Sequence, residues 1–162
     1  MKLKINIPDI MDFGFSAVGL IFLVMLFVPN MIWSKFKPIG YDNYSKNENR
    51  ILLILERIGE VLVTCFALFT NIQFSWSLIL AIAFLVMLLY ELYWLKYFKS
   101  SHRMEDMYSS FLGIPVPGAS LPVIAALLLG IYANNIFLVI SAIILGIGHI
   151  GIHYNHKREL NI

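Results

Sequence analysis

Three charges interrupt an otherwise apolar stretch in Leu55-Glu56-Arg57-Ile58-Gly59-Glu60. On a helix, at ~100° per residue, Glu56 and Glu60 lie ~40° apart and Arg57 lies ~60° beyond Glu60. All three can therefore point into one bundle, and Arg57 can pair with Glu60 at i, i+3. A purely structural ion pair that pins helix packing is one role for such a set. Two carboxylates against one guanidinium nevertheless leave a charge over. One glutamate then requires a proton, a metal, a second cation or a ligand, and ionisable residues inside an apolar segment are functional candidates by default.

A second cluster ends the last apolar stretch, in Gly148-His149-Ile150-Gly151-Ile152-His153-Tyr154-Asn155-His156. His149, His153 and His156 share a helical face, within ~60° of one another. Neutral imidazoles at i, i+4 can ligate one metal, as in a His-Glu-x-x-His helix, although the glutamate between them is absent here. With Glu60 as a third donor, His149 and His153 make a set that suits zinc or iron. The bland alternative is a helix end where histidine is unremarkable, with His149 hydrogen-bonded to a neighbouring helix. Ala142 and Gly146 continue the same face, where small side chains allow close helix approach.

Two more features carry polar groups. Glu91 lies among aromatics in Tyr90-Glu91-Leu92-Tyr93-Trp94, of which Tyr90, Tyr93 and Trp94 read chiefly as interface residues. Residues 113–122, GIPVPGASLP, hold three prolines and two glycines in ten positions, which frees backbone amides and carbonyls. Freed groups at membrane depth must be buried in protein or line a wet cavity.

The elements that position these residues are apolar spans. Spanning needs about 20 mostly apolar residues, and five stretches qualify, approximately 15–33, 51–70, 77–95, 111–132 and 136–154. Residues 71–76 and 133–135 carry no charge, whereas 34–50 hold Lys35, Lys37, Lys46 and Arg50. Residues 96–110 hold Lys96, Lys99 and Arg103, and the tail holds Lys157 and Arg158. These basic segments share a side only if all five spans cross. The positive-inside rule then places them in the cytosol, with the amino terminus outside and the carboxyl terminus cytosolic. Lys2 and Lys4 oppose this reading, partly offset by Asp9 and Asp12. Trp33, Trp94 and Tyr154 mark the inner interface, Trp76 and Tyr132 the outer one. The first apolar run is long enough to span and lacks a small-x-small cleavage signal, so it reads as a retained helix.

Orientation aligns the chemistry. Counted at 1.5 Å per residue from the cytosolic ends, Glu56 and His149 both lie about a turn and a half deep, Glu60 a turn deeper and Glu91 about one turn deep. The 113–122 segment starts at that level. The expectation is a cytosol-facing intramembrane site: Glu56, Arg57 and Glu60 as one wall, Glu91 another, His149 and His153 a third, and 113–122 as rim or lid. His102, Glu105, Asp106 and the Tyr41–Tyr44 loop read as solvated surface.

Composition agrees with a single all-α integral membrane domain over residues 1–162, with 59% hydrophobic and 14% charged residues and a mean hydropathy of +0.78. Soluble domains average about a quarter charged residues. A net charge of +2 with dispersed basic residues gives no nucleic-acid footprint. One cysteine, Cys65, excludes an internal disulfide and any multi-cysteine metal site. Abundant Ile, Lys and Asn suggest an AT-rich bacterial genome, hence a bacterial plasma membrane. There is no internal repeat, such as many transporters show.

Three functions fit. One is binding or transport of a small polar or cationic ligand, coupled to protons through an unpaired carboxylate beside a histidine; a homo-oligomer would supply helices that five spans lack. Another is a membrane-embedded, metal-dependent enzyme acting on a lipid or prenyl substrate at the inner leaflet. No His-Glu-x-x-His, Gly-x-Ser-x-Gly or diphosphate-binding aspartate cluster specifies it. The last is an assembly partner whose polar residues only fix packing.

Overall fold

Four long helices begin where the sequence offers a side-chain acceptor for free backbone amides. In a computed structural model that describes residues 13–161, Ser16 accepts from the Gly19 amide and opens α1, Ala17–Trp33. After the single turn α2, Tyr41–Ser45, Asn49 accepts from Ile51 and Leu52 and opens α3, Arg50–Phe69. Ser77 caps α4, Leu78–Phe98, and a second single turn, α5, covers Met104–Tyr108. Helix α6, Pro117–Tyr132, starts instead on a proline, whose fixed φ suits the first helical position. Asn135 caps α7, Ile136–Glu159. The described residues are thus all-helical, with seven helices and no strand.

Two of these, α4 and α7, are long and apolar enough to cross a membrane, which supports membrane association. Helices α1 and α6 are apolar but shorter, and α3 is long but carries the charged stretch. Outward faces are apolar: Ile136, Ile140, Ile143 and Ile147 on α7 and Leu85, Leu88, Leu92 and Leu95 on α4 are all exposed.

Connections sort onto two ends. At one end the Ile39 amide donates to the His102 carbonyl and the Tyr97 hydroxyl to the Phe36 carbonyl, joining residues 34–49 to 99–103. At the other end Tyr132 donates to the Gln73 carbonyl and Asn135 to Thr70 Oγ1. The three basic segments therefore meet at one end. Lys2, Lys4, Asp9 and Asp12 lie outside the described residues.

Helix bounds differ from expectation in instructive places. Helix α6 begins at Pro117, not 111, because residues 111–116 close a tight turn. Phe111 and Ile114 bond to each other, and Leu112, Gly113 and Val116 all adopt positive φ. Its freed groups are satisfied locally: the Val116 carbonyl accepts from Ala119 and Ser120, and the Pro115 carbonyl from the Ser120 hydroxyl. Residues 113–122 are therefore a tight turn running into a helix start.

Residues 104–108 form a helical turn that buries Met104, Met107 and Tyr108 while Glu105 stays exposed and His102 and Asp106 are half-buried. Asp106 caps this turn, accepting from the Arg103 amide at 3.0 Å and the Ser101 hydroxyl at 3.0 Å. The Arg103 amide bond, more than any other interaction, holds the Asp106 carboxyl below its usual range. A depressed carboxylate stabilises the fold above its unfolded pKa, and that contribution fades as pH falls through the folded value. Melting temperature should thus fall on acidification below about pH 4, and the Asp106→Asn variant should show less of this fall. Identical pH profiles would remove the cap from the account.

Candidate functional site

The site begins with two glycines. A Cβ on Gly148 would lie 2.3 Å from the Glu56 amide nitrogen, and one on Gly59 would lie 2.5 Å from Leu145 Cα. Helices α3 and α7 therefore touch backbone to backbone, which only glycine permits on both sides. A neighbouring helix also comes close at Ala142 and Gly146: Ala142 is fully buried, and Gly146 faces Val123 on α6.

This crossing sets Glu56 against His149. The imidazole Nδ1 donates to Glu56 Oε1 at 2.5 Å, and Glu56 is only 7% exposed. One turn on, the His153 ring packs edge-on against His149 with centroids 4.6 Å apart. Glu56, His149 and His153 each offer a ligand atom, and the three atoms lie within 4.8 Å of one another. Glu60 does not join them. Its carboxylate takes Arg57 Nη1 at 2.7 Å, with side chains 41% and 70% exposed respectively, so this pair stands at the margin rather than the centre. Arg57 also lies 3.9 Å from Glu56. The glutamate beside the histidines is thus Glu56, whereas the expected metal set paired His149 and His153 with Glu60. The ~40° between the two glutamates decides which one α7 meets.

Behind the histidines stands Tyr108, carried in by α5. Its hydroxyl lies 3.0 Å from His153 Nδ1 and 2.8 Å from His156 Nδ1. One hydroxyl proton serves one acceptor. Assigned to the shorter contact it goes to His156, and Tyr108 then accepts from His153 Nδ1–H. Burial raises the Tyr108 phenol far above its ordinary range, so it keeps that proton. His156, 2% exposed, packs its ring against Tyr41 and Tyr44 and puts Nε2 3.3 Å from Glu48 Oε1, in ion-pair range though off the hydrogen-bond line. Burial first, and then the Glu56 carboxylate, raise the pKa of Glu48.

These groups edge a cavity of about 290 Å³. Its polar end is formed by Glu48, Glu56, Arg57, Glu60, His149 and His153. Its apolar wall comes from Leu26, Val63, Pro122, Ala126 and Leu145, and four of these residues but Leu145 also line a narrow continuation toward Met87 and Leu138. Trp33, whose buried indole N–H has no hydrogen-bond partner, lines the same space. Of the broken segment only Gly118 and Pro122 reach it. Glu91 does not line it; one carboxylate oxygen is buried elsewhere without a hydrogen bond. Among the expected site residues, the structure gathers Glu56, His149 and His153, places Arg57 and Glu60 beside them, and leaves Glu91 apart.

Sequence reasoning missed Glu48 and Tyr108 as members of this cluster; it put His156 on the histidine face but not in the site. A signal for Tyr108 was present: Met104, Met107 and Tyr108 fall at i, i+3 and i+4, the apolar face of a single helical turn. Glu48 carried none, because its place depends on how the linker folds over α7. No protein-family model matches the chain, and neither a curated protein nor a solved structure is similar to it.

Proposed function

We propose that the chain is a five-span bundle of a bacterial plasma membrane, amino terminus outside, and that its cavity binds a small amphiphile from the cytosolic half of the bilayer. The ligand's polar head would sit against Glu56, Arg57, Glu60 and the histidines, and its chain along Leu26, Val63, Ala126 and Leu145. One observation carries this reading: a single cavity joins a charged end to an apolar wall. Ligand sites are typically apolar spaces with a few convergent polar groups. Apolar outward faces and the gathering of basic segments at one end support the bilayer and its orientation.

A second reading, an enzyme acting on a lipid or prenyl substrate, is favoured by the Glu56–His149 contact. A carboxylate holding one imidazole nitrogen orients the other toward a substrate proton, the arrangement of a general base.

Indole fluorescence tests the cavity. Trp33 and Trp94 line it, whereas Trp76 is 91% exposed; a Trp76→Phe protein in nanodiscs leaves only the two cavity-lining reporters. A bromododecyl phosphate and a bromododecyl amine serve as quenchers, with butyl analogues as controls. Saturable quenching by at least one dodecyl probe is expected, weakened roughly tenfold by Ala126→Phe, the ~1.4 kcal/mol scale of a blocked apolar contact. Equal quenching in the Ala126→Phe protein, or by the butyl analogues, would sink the reading.

A further inference from the structure

We infer that Glu56, His149 and His153 bind one divalent transition-metal ion, Zn²⁺ or Fe²⁺, at the charged end of the cavity. Two imidazoles and a carboxylate from two helices form a donor set used for both ions, and three protein ligands leave a coordination position for a ligand or water. The three donor atoms already lie within 4.8 Å of one another, so small side-chain adjustments would bring them onto one ion.

Two independent observations point to a cation there. The first is orientation of one donor, His153, from behind. A metal-bound histidine characteristically gives its other ring N–H to an oxygen acceptor. Tyr108 occupies Nδ1 of His153 at 3.0 Å and is itself fixed by His156 at 2.8 Å, leaving Nε2 of His153 as the ligand atom. The second is charge. Glu48, Glu56 and Glu60 line the cavity against the single cation Arg57. With neutral histidines that is an excess of two negative charges, from three carboxylates and one guanidinium, at the edge of an apolar space. A divalent ion neutralises it, where an uncompensated buried charge is costly.

The metal site deepens the proposed cavity function, and rests on it only for what the metal would hold. With the charge balanced, the open coordination position selects a head bearing oxygen donors, a phosphate or carboxylate, over an ammonium.

The test strips the full-length protein in nanodiscs with a chelator, then titrates Zn²⁺ or anaerobic Fe²⁺ alone and counts bound metal by elemental analysis. One ion per chain is expected in the wild type and in Glu91→Gln, whose carboxylate does not line the cavity. Affinity should fall at least a hundredfold in Glu56→Gln and His153→Ala, and ten- to a hundredfold in Tyr108→Phe, the range for lost support of a ligand histidine. Where these variants lose the fold, Glu56→Asp and His149→Cys keep a donor and should change affinity while retaining one ion per chain. No stoichiometric uptake, or unchanged affinity in Glu56→Gln and His153→Ala, would overturn the site. Bromododecyl phosphate separates the two claims: saturable quenching without metal uptake overturns the metal and leaves the cavity function standing. Metal uptake without quenching does the reverse.

Discussion

Glu56→Leu is expected to destabilise the folded protein by about 3 kcal/mol, the lower end for breaking a buried ion pair, because His149 keeps some exposure. The loss arises less from the missing 2.5 Å bond than from the part-buried imidazole left without its acceptor. Adding His149→Leu should return most of that stability, since an apolar pair of similar volume often replaces a buried ionic one at little cost. Thermal unfolding of the wild type, both single variants and the double variant forms the measuring cycle. A coupling of about 0.5–3 kcal/mol is expected for groups in contact. If the double variant costs the sum of the singles, Glu56 and His149 are not energetically paired. The same cycle separates function from packing. A double variant that is stable yet takes up neither metal nor amphiphile shows that the polar pair is not retained for stability, whereas one that keeps all binding reduces the pair to a helix clamp.

The second large effect concerns the crossing itself. Gly148→Ala places a methyl 2.3 Å from the Glu56 amide nitrogen and 2.6 Å from the Leu52 carbonyl oxygen, both backbone atoms that no rotamer change can move. Helices α3 and α7 must separate, at a cost of about 3 kcal/mol or more, the upper range for overpacking. Gly151→Ala supplies the control on the same helix. Its methyl would meet only the Leu52 side chain, at 3.1 Å or beyond, which can turn aside. Melting temperature should therefore drop sharply in Gly148→Ala and little in Gly151→Ala. Equal melting of both variants would mean that the glycine contact does not set the crossing. Separation should also pull Glu56 away from His149, so Gly148→Ala is expected to lose metal although every donor remains.

Both effects depend on features the sequence stated only in part. The five long helices were legible, because apolar runs and charged linkers are local properties of the chain. The match in level of Glu56 and His149 was legible too, since counting residues at a fixed rise along antiparallel helices needs no partner. Local signals reached no further. Glu56 and Glu60 are nearly equivalent on an isolated helix, and the choice between them lies in the rotation of α3 about its axis, which Gly59 and Gly148 set by bringing two backbones into contact. Depth likewise could not exclude Glu91: residues at one level can face different directions, and α4 turns Glu91 away from the cavity. Tyr108 and Glu48 belong to linkers, whose paths are fixed by what they fold onto. The chain by itself therefore determined where the long apolar helices run, which residues are costly to bury and which stand at the same level along their helices. The tertiary structure decided which of them meet, because helix rotation and linker path are set by packing between segments distant in sequence.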